Sequence, residues 1–412
     1  MPTPVLEVSP VPEKPSRRQL LKLASALGAA FVACRQAPQE NQWSTLGQPV
    51  STYGERSRFE TALRQISPTA KTREAASSFT PLQDLHGIIT PSSLHFERHH
   101  SGIPSIDPRE HRLLIHGMVN NPLILTIEEI KRLPSVSHIH FLECSGNSGG
   151  EWAKPTAKSV QGSHGLTSCS EWTGVPAALL LREAGIQPEA SWILAEGADP
   201  AKLARSLPLQ KVMKDALVAY AQNGEALRPE QGYPLRLILP GFEGSTNIKW
   251  LRRIKLVDKP TMTREETSKY TDLMPDGTAR QFTFLMEAKS VITFPSGGQK
   301  LSGPGFYQIM GLAWSGRGAV RQVEVSTDAG KTWRKAQLQD PVLPIAHTRF
   351  RLDWNWDGSE AVLQSRCMDE TGYAQPTHAE LIEVRGTNST YHNNAIQSWK
   401  VLTDGSVQNV QA

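Results

Sequence analysis

Cysteine is scarce. There are four in 412 residues, Cys34, Cys144, Cys169 and Cys367, too few and too scattered for a disulfide scaffold. None lies in a Cys-x-x-Cys or Cys-x-x-Cys-His arrangement, which argues against zinc ribbons and covalently attached haem. Excess charge is scarce too: 44 basic against 40 acidic residues leave only +4. With no Lys/Arg cluster, nothing points to nucleic acid. No Gly-x-Gly-x-x-Gly follows a strand and no Walker motif occurs, so nucleotide-binding folds have no support. The apolar run Leu23 to Ala33 is shorter than the roughly 20 residues a spanning helix needs, so no membrane span is expected in the mature protein.

A hydrophobic content of 39% over this length suffices for a large core and suggests two or three domains. The chain opens with Ser16-Arg17-Arg18-Gln19-Leu20-Leu21-Lys22, a twin-arginine export signal followed by its apolar run. This predicts a signal peptide over 1–34 and a periplasmic protein. Residues 35–84 are polar and aperiodic, the composition of a linker or arm. From 85 to 258, short β-type runs such as Arg112 to His116 and Leu235 to Leu239 alternate irregularly with helical stretches. One helix is predicted at Thr126 to Leu133 and another at Pro176 to Ala184, so this segment reads as α+β. A charged connector, 259–280, leads to 281–412. There short strands, including Ala361 to Arg366 and Leu381 to Val384, and a hairpin turning at Asp328-Ala329-Gly330 suggest an immunoglobulin-like sandwich.

Three stretches could carry chemistry. His138-Ile-His-Phe-Leu-Glu-Cys144 reads as the end of a half-buried strand, and Ser145 to Gly150 as a flexible loop that brings backbone N–H groups near a ligand. Cys144, at the junction, suits a nucleophile, a disulfide partner, a soft-metal ligand or simply a buried structural cysteine. His138, His140 and Cys144 alternate toward one face of a strand, so a copper or zinc site is conceivable, with strand packing as the plainer account of the two histidines. His95-Phe96-Glu97-Arg98-His99-His100 is crowded with donors suited to an anion, or is a solvated loop. Gly241 to Trp250 joins a glycine-rich turn to Lys249, a common way to seat phosphate and also an ordinary turn.

Taken together, Leu142-Glu-Cys144-Ser-Gly-Asn147, Gly232-Tyr-Pro-Leu-Arg236 and Ile248-Lys249-Trp250-Leu251 resemble the sulfite oxidase family of molybdenum enzymes over about residues 85–400. Leu227 to Tyr233, Thr263 to Tyr270 and Tyr391-His-Asn-Asn394 resemble its branch of sulfane dehydrogenase molybdenum subunits. The resemblance implies a mixed α/β molybdopterin domain followed by an immunoglobulin-like dimerisation domain. It implies a molybdenum–pterin cofactor with Cys144 as the thiolate ligand, and no haem in this chain. Cofactor contacts would come from His95, Phe96, Glu97, Arg98, His99, Asp199, Gln231, Arg236, Asn247, Ile248 and Lys249. Gln231 stands where many members have histidine. Arg98 and Tyr270 match the family's active-site arginine and tyrosine.

Departures from the family pattern fall on the substrate side. Ser148 and Gly149 stand where sulfite oxidases have paired arginines, and another C-terminal arginine is replaced around Gln397-Ser398. Losing fixed positive charge weakens binding of a small dianion. The implied substrate is therefore sulfane sulfur on a carrier protein, with free sulfite as the alternative and a non-catalytic binding module as the reading from another class. A c-type cytochrome is the implied electron acceptor, in a homodimer or a heterotetramer with that cytochrome.

Overall fold

Alternation along one strand sets the layout around the site. In a computed structural model of the chain, which describes residues 47, 49–388 and 390–411, Val136–Glu143 forms a strand ending one residue before Cys144. Phe141 and Leu142 point to opposite faces, as strand geometry requires. Phe141 enters a core shared with Trp314, Phe350 and Val323 of the C-terminal sandwich. Leu142 enters a smaller core with Phe96, Trp172 and Leu217, against which Cys144 packs. Cys169, on the neighbouring strand, is also part of the sandwich core. The strand leading to Cys144 is thus packed from two domains at once.

The chain divides at Thr61, and Ala62–Ala412 forms one unit. The described residues before Ala62 have no helix or strand and are exposed. The expected export signal and Cys34 lie outside the described residues. The stretch 65–84, whose composition suggested an arm, contributes Gln65–Ile66 and Ser77–Phe79 to a small antiparallel sheet with Glu97–Arg98. Side-chain bonds hold it there: the Thr80 and Ser168 hydroxyls are 2.6 Å apart, and Gln161 Nε2 donates to the carbonyls of Leu63 and Phe79.

The first domain has two five-stranded sheets. One places Thr167–Pro176 between Val136–Glu143 and Leu217–Gln222. The other is antiparallel except where Leu251–Val257 runs parallel to Arg112–Gly117. Helices Ile127–Lys131 and Ala177–Ala184 form as the sequence predicts, the first behind a Thr126/Glu129 capping box. The C-terminal domain is a sandwich of a four-stranded and a five-stranded sheet. In its hairpin, Asp328 accepts hydrogen bonds from Thr332 N and from the Ser326 and Thr332 hydroxyls, so this motif is a structural turn. One expectation is corrected. Leu381 to Val384 is not a strand but lies in the helix His378–Arg385, opened by Thr377 and Glu380, which cap each other's backbone N–H. The cap outweighs the β-like alternation of so short a run.

Candidate active site

Cys144 closes one end of a turn built to hold it. Its N–H donates to Leu166 O, and its carbonyl accepts from Asn147 N at 2.9 Å. The Asn147 side chain donates to Glu143 Oε1 and accepts from Leu166 N. Glu143, fully buried, also accepts from Lys289 Nζ at 3.0 Å and Trp314 Nε1 at 2.7 Å in the sandwich domain. The base of the cysteine turn is therefore anchored by buried charge-assisted bonds that cross the domain seam. On its far side His392 N donates to Ser145 O and Asn393 Nδ2 to Ser148 O.

Two cavities meet at this residue. The first, with an empty volume of about 670 Å³, is lined by Phe96, Arg98, His99, Asp199, Gln231, Arg236, Asn247, Ile248, Lys249 and Tyr270 as well as Cys144. The second, about 1860 Å³ and on the other side of Cys144, runs along Gly146, Ser148, Gly149 and Gly150 toward Tyr391. Arg98, His100, Cys144 and Tyr270 face both. Of the residues singled out from sequence, His95 and Glu97 line neither cavity. His95 is fully buried, its Nδ1 bonded to the Phe96 carbonyl and its ring stacked on Phe96. Glu97 is bound to Arg64 and, at 2.8 Å, to His99 Nε2. Both stand behind the wall and orient it. His138 and His140 line neither cavity, and among the described residues no cluster of three His, Cys, Asp or Glu could hold a metal ion.

The cationic side chains of Arg236 and Lys249 in the first cavity are desolvated. Arg236 is 4% exposed, and burial pushes its guanidinium down to about 9. Its Nη1 donates to the side-chain and main-chain oxygens of Gln231, both neutral, and the Gln231 amide donates to the Phe96 carbonyl. Lys249 Nζ donates to Arg98 O, Glu230 O and His99 Nδ1 at 2.9–3.2 Å. Burial, and Arg236 nearby, hold its ammonium well below the usual lysine range. Asn247 serves the wall itself: its Oδ1 accepts from Leu239 N and its Nδ2 donates to Glu243 O. Asp199 accepts from Ser101 Oγ and Leu203 N. Burial raises the Cys144 thiol, so this environment alone does not make a thiolate. Metal coordination would.

These residues fit a molybdenum–pterin group. Arg236 Nε is buried in the cavity wall without a hydrogen-bond partner, a cost that an anionic ligand there would relieve. Arg236 and Lys249 would hold its phosphate end, and Cys144 would be the soft ligand to the metal.

Three residues of the singled-out stretches, given no role of their own from sequence, also face the site. His100 closes its motif, and burial drops its imidazole to about 4. Its Nε2 is 3.3 Å from the Tyr270 hydroxyl. Ser245 and Gly244 face the first cavity. A Cβ at Gly244 would come 3.0 Å from Glu143 O and 3.3 Å from Cys144 Cα, so glycine lets the two turns pack. In the second cavity, Ser148, not Gly149, takes the left-handed conformation, with φ 62°. A Cβ at Gly149 would lie 2.8 Å from Thr390 O. The backbone there excludes any side chain, arginine included, unless it moves.

Comparison with known proteins agrees with this geometry. Residues 100–265 match the oxidoreductase molybdopterin binding domain, and residues 280–399 the Mo-co oxidoreductase dimerisation domain. The chain is 31% identical over 275 residues to a mitochondrial sulfite oxidase of Drosophila melanogaster, covering 62% of this chain and 48% of that protein. It is 28% identical over 333 residues to a sulfite oxidase of Gallus gallus, covering 73% and 71%. It thus spans about half the length of the Drosophila relative. The crystal structure of the sulfane dehydrogenase SoxCD from Paracoccus pantotrophus superimposes with a TM-score of 0.89 at 46% identity, covering 93% of this chain and 98% of that one.

Proposed function

This chain belongs to the sulfite oxidase family of molybdenum enzymes, and from that premise we propose that it oxidises sulfane sulfur presented on a carrier protein. The observation that carries the reading is the pair of cavities meeting at Cys144, one small and lined by buried Arg236 and by Lys249, the other larger and without a fixed cation at Ser148–Gly149. When bound, the molybdenum–pterin group supplies oxygen transfer from water to sulfur and takes up two electrons.

The chain's own residues bind and orient. Burial raises the Tyr270 hydroxyl far above its ordinary value, so the phenol stays protonated. His100 stays neutral above about pH 4. The pair therefore offers neutral hydrogen bonding at the junction, while Arg98 is the cation that faces both cavities. A small dianion would find one fixed positive charge. A sulfur on a protein carrier draws its binding energy from surfaces remote from the reacting atom and needs little more.

Electrons would leave to a c-type cytochrome subunit, since the sequence has no Cys-x-x-Cys-His of its own. The dimerisation-domain match supports assembly as a homodimer or a heterotetramer with that cytochrome. The Arg17-Arg18 signal supports a periplasmic location. Replacing both arginines by lysine should leave the protein in the cytoplasm, and normal periplasmic yield would refute export by this route. The test of substrate is kcat/KM for free sulfite and for a sulfane-loaded carrier, with the cytochrome present. Preference for the carrier is expected. Preference for sulfite would replace this reading with a sulfite dehydrogenase.

A further inference from the structure

Tyr270 faces both cavities from a backbone conformation that tyrosine seldom adopts, with φ 50°. A bulky residue stays there only when its surroundings over-determine it. What holds it is not in its own motif. The Arg205 guanidinium carbon lies 4.9 Å from the Tyr270 ring centroid and 5.8 Å from that of Phe284. Arg205 is fully buried, on the strand Ala204–Pro208. Its Nη2 is 3.0 Å from Glu243 Oε1, its Nε 3.6 Å from Glu266 Oε1, and its Nη1 donates to Ser245 Oγ.

Each partner leads to a different part of the site. Ser245 lines the cofactor cavity, next to the Gly244 that packs on Cys144. Glu243 Oε2 is 3.4 Å from His392 Nε2, and His392 N donates to the carbonyl of Ser145. Glu266 lies in the short helix Arg264–Thr267 of the connector. Its main-chain oxygen accepts from Thr271 Oγ1 and Gln281 Nε2 on either side of the loop after Tyr270. One planar cation therefore joins the cofactor wall, the turn after Cys144 and the connector that carries Tyr270.

We propose that Arg205 is a positioning residue, holding Tyr270 at the junction of the two cavities and fixing the connector to the cysteine turn. A planar guanidinium can bridge two carboxylates while its face lies on an aromatic ring; an ammonium can do one or the other. Arg205→Lys keeps the buried charge and gives up the face contact, whereas Arg205→Met leaves Glu243 and Glu266 without their cation.

The inference rests on the sulfur-oxidising reading only for its kinetic arm. The holoenzyme is labelled with 3-fluorotyrosine, and the Tyr270 resonance among the seven tyrosines is assigned by its loss in Tyr270→Phe. In Arg205→Lys the thermal midpoint should stay near wild type while the Tyr270 resonance shifts or broadens. kcat should fall about 10–100-fold, the range for losing a supporting partner, with KM little changed. If Arg205→Met does not fold, Arg205→Lys alone decides. Recovery of kcat together with stability in Arg205→Lys, with the Tyr270 resonance unmoved, would mean a purely structural arginine and would overturn the proposal. If wild-type enzyme oxidises no sulfur compound, the preceding reading fails, while the Tyr270 resonance still decides the role of Arg205.

Discussion

On one side of Cys144, Arg236 and Lys249 are held away from water by Phe96, Trp172 and Trp250. On the other, the wall is the Ser148–Gly150 turn, and the lysines that line it, Lys158 and Lys269, are exposed. Desolvating a cation in advance costs free energy, and only a ligand that stays can offset it continuously. A substrate that comes and goes gains more from a wall that asks for no dehydration. The difference between the two sides is thus the difference between a resident group and a visitor, written in burial rather than in the number of charges.

Removing the shared boundary is the harshest way to break this comparison. Cys144→Ser should reduce sulfur oxidation to background while the thermal midpoint stays near wild type, since serine has nearly the same volume. Molybdenum content and activity measured on the same preparation check it, and a Ser variant with full activity would refute the assignment of Cys144. Next in size is Arg236→Met, which removes a buried charge-assisted contact worth roughly 1.5–3 kcal/mol. Pterin retention, followed by release on dilution, should weaken on the order of 10–100-fold. Unchanged retention would mean that the phosphate is held elsewhere.

Between the two sides lies charge of a third kind, the buried Arg205–Glu243 pair. Burial raises the Glu243 carboxyl, but Arg205 and His392 outweigh it and hold it down at about 2, against 4.5 ordinarily. A depressed carboxylate contributes stability above its unfolded value and loses it as pH falls through 4.5 toward 2. Wild type should therefore exceed Glu243→Gln in unfolding free energy near pH 6. That gap should narrow by about 2 kcal/mol between pH 5 and pH 3. Denaturant titrations of both proteins across this range test it, and a gap independent of pH would show that Glu243 is not charged in the folded state.

How much of this could be read from the sequence follows from how far each contact reaches along the chain. The strand before Cys144 and the Thr126 helix were legible because periodicity and capping are local. The helix His378–Arg385 was missed although Thr377 and Glu380 cap it; Leu-Ile-Glu-Val in isolation mimics strand alternation. The cavity wall was legible through a family resemblance, which located Arg236 and Lys249 but also drew in His95 and Glu97, whose side chains stand behind it. Arg205, Glu243 and Glu266 form no motif, because they lie on separate segments that only the tertiary fold brings together. Glu143 adjoins Cys144, yet its partners Lys289 and Trp314 belong to another domain. Buried ion pairs between distant segments leave no periodic trace.

The smallest expected effect bears most directly on the substrate wall. Lys269 lines the second, larger cavity beside Tyr270 but is exposed, so water and salt screen whatever it offers a passing anion. Exposed charge contacts are worth about 0–1 kcal/mol, which limits the loss of kcat/KM in Lys269→Met to roughly fivefold. That loss should shrink further as ionic strength rises, because the Debye length falls to about 3 Å at 1 M salt. Arg236→Met, whose contact is shielded from solvent, should keep its defect at the same salt. The measurement is kcat/KM for the carrier-bound substrate at low and high salt in both variants. A hundredfold, salt-insensitive loss at Lys269 would mean that this side has a fixed anion site after all. Burial would then no longer separate resident from visitor, and free sulfite would become the better-matched substrate.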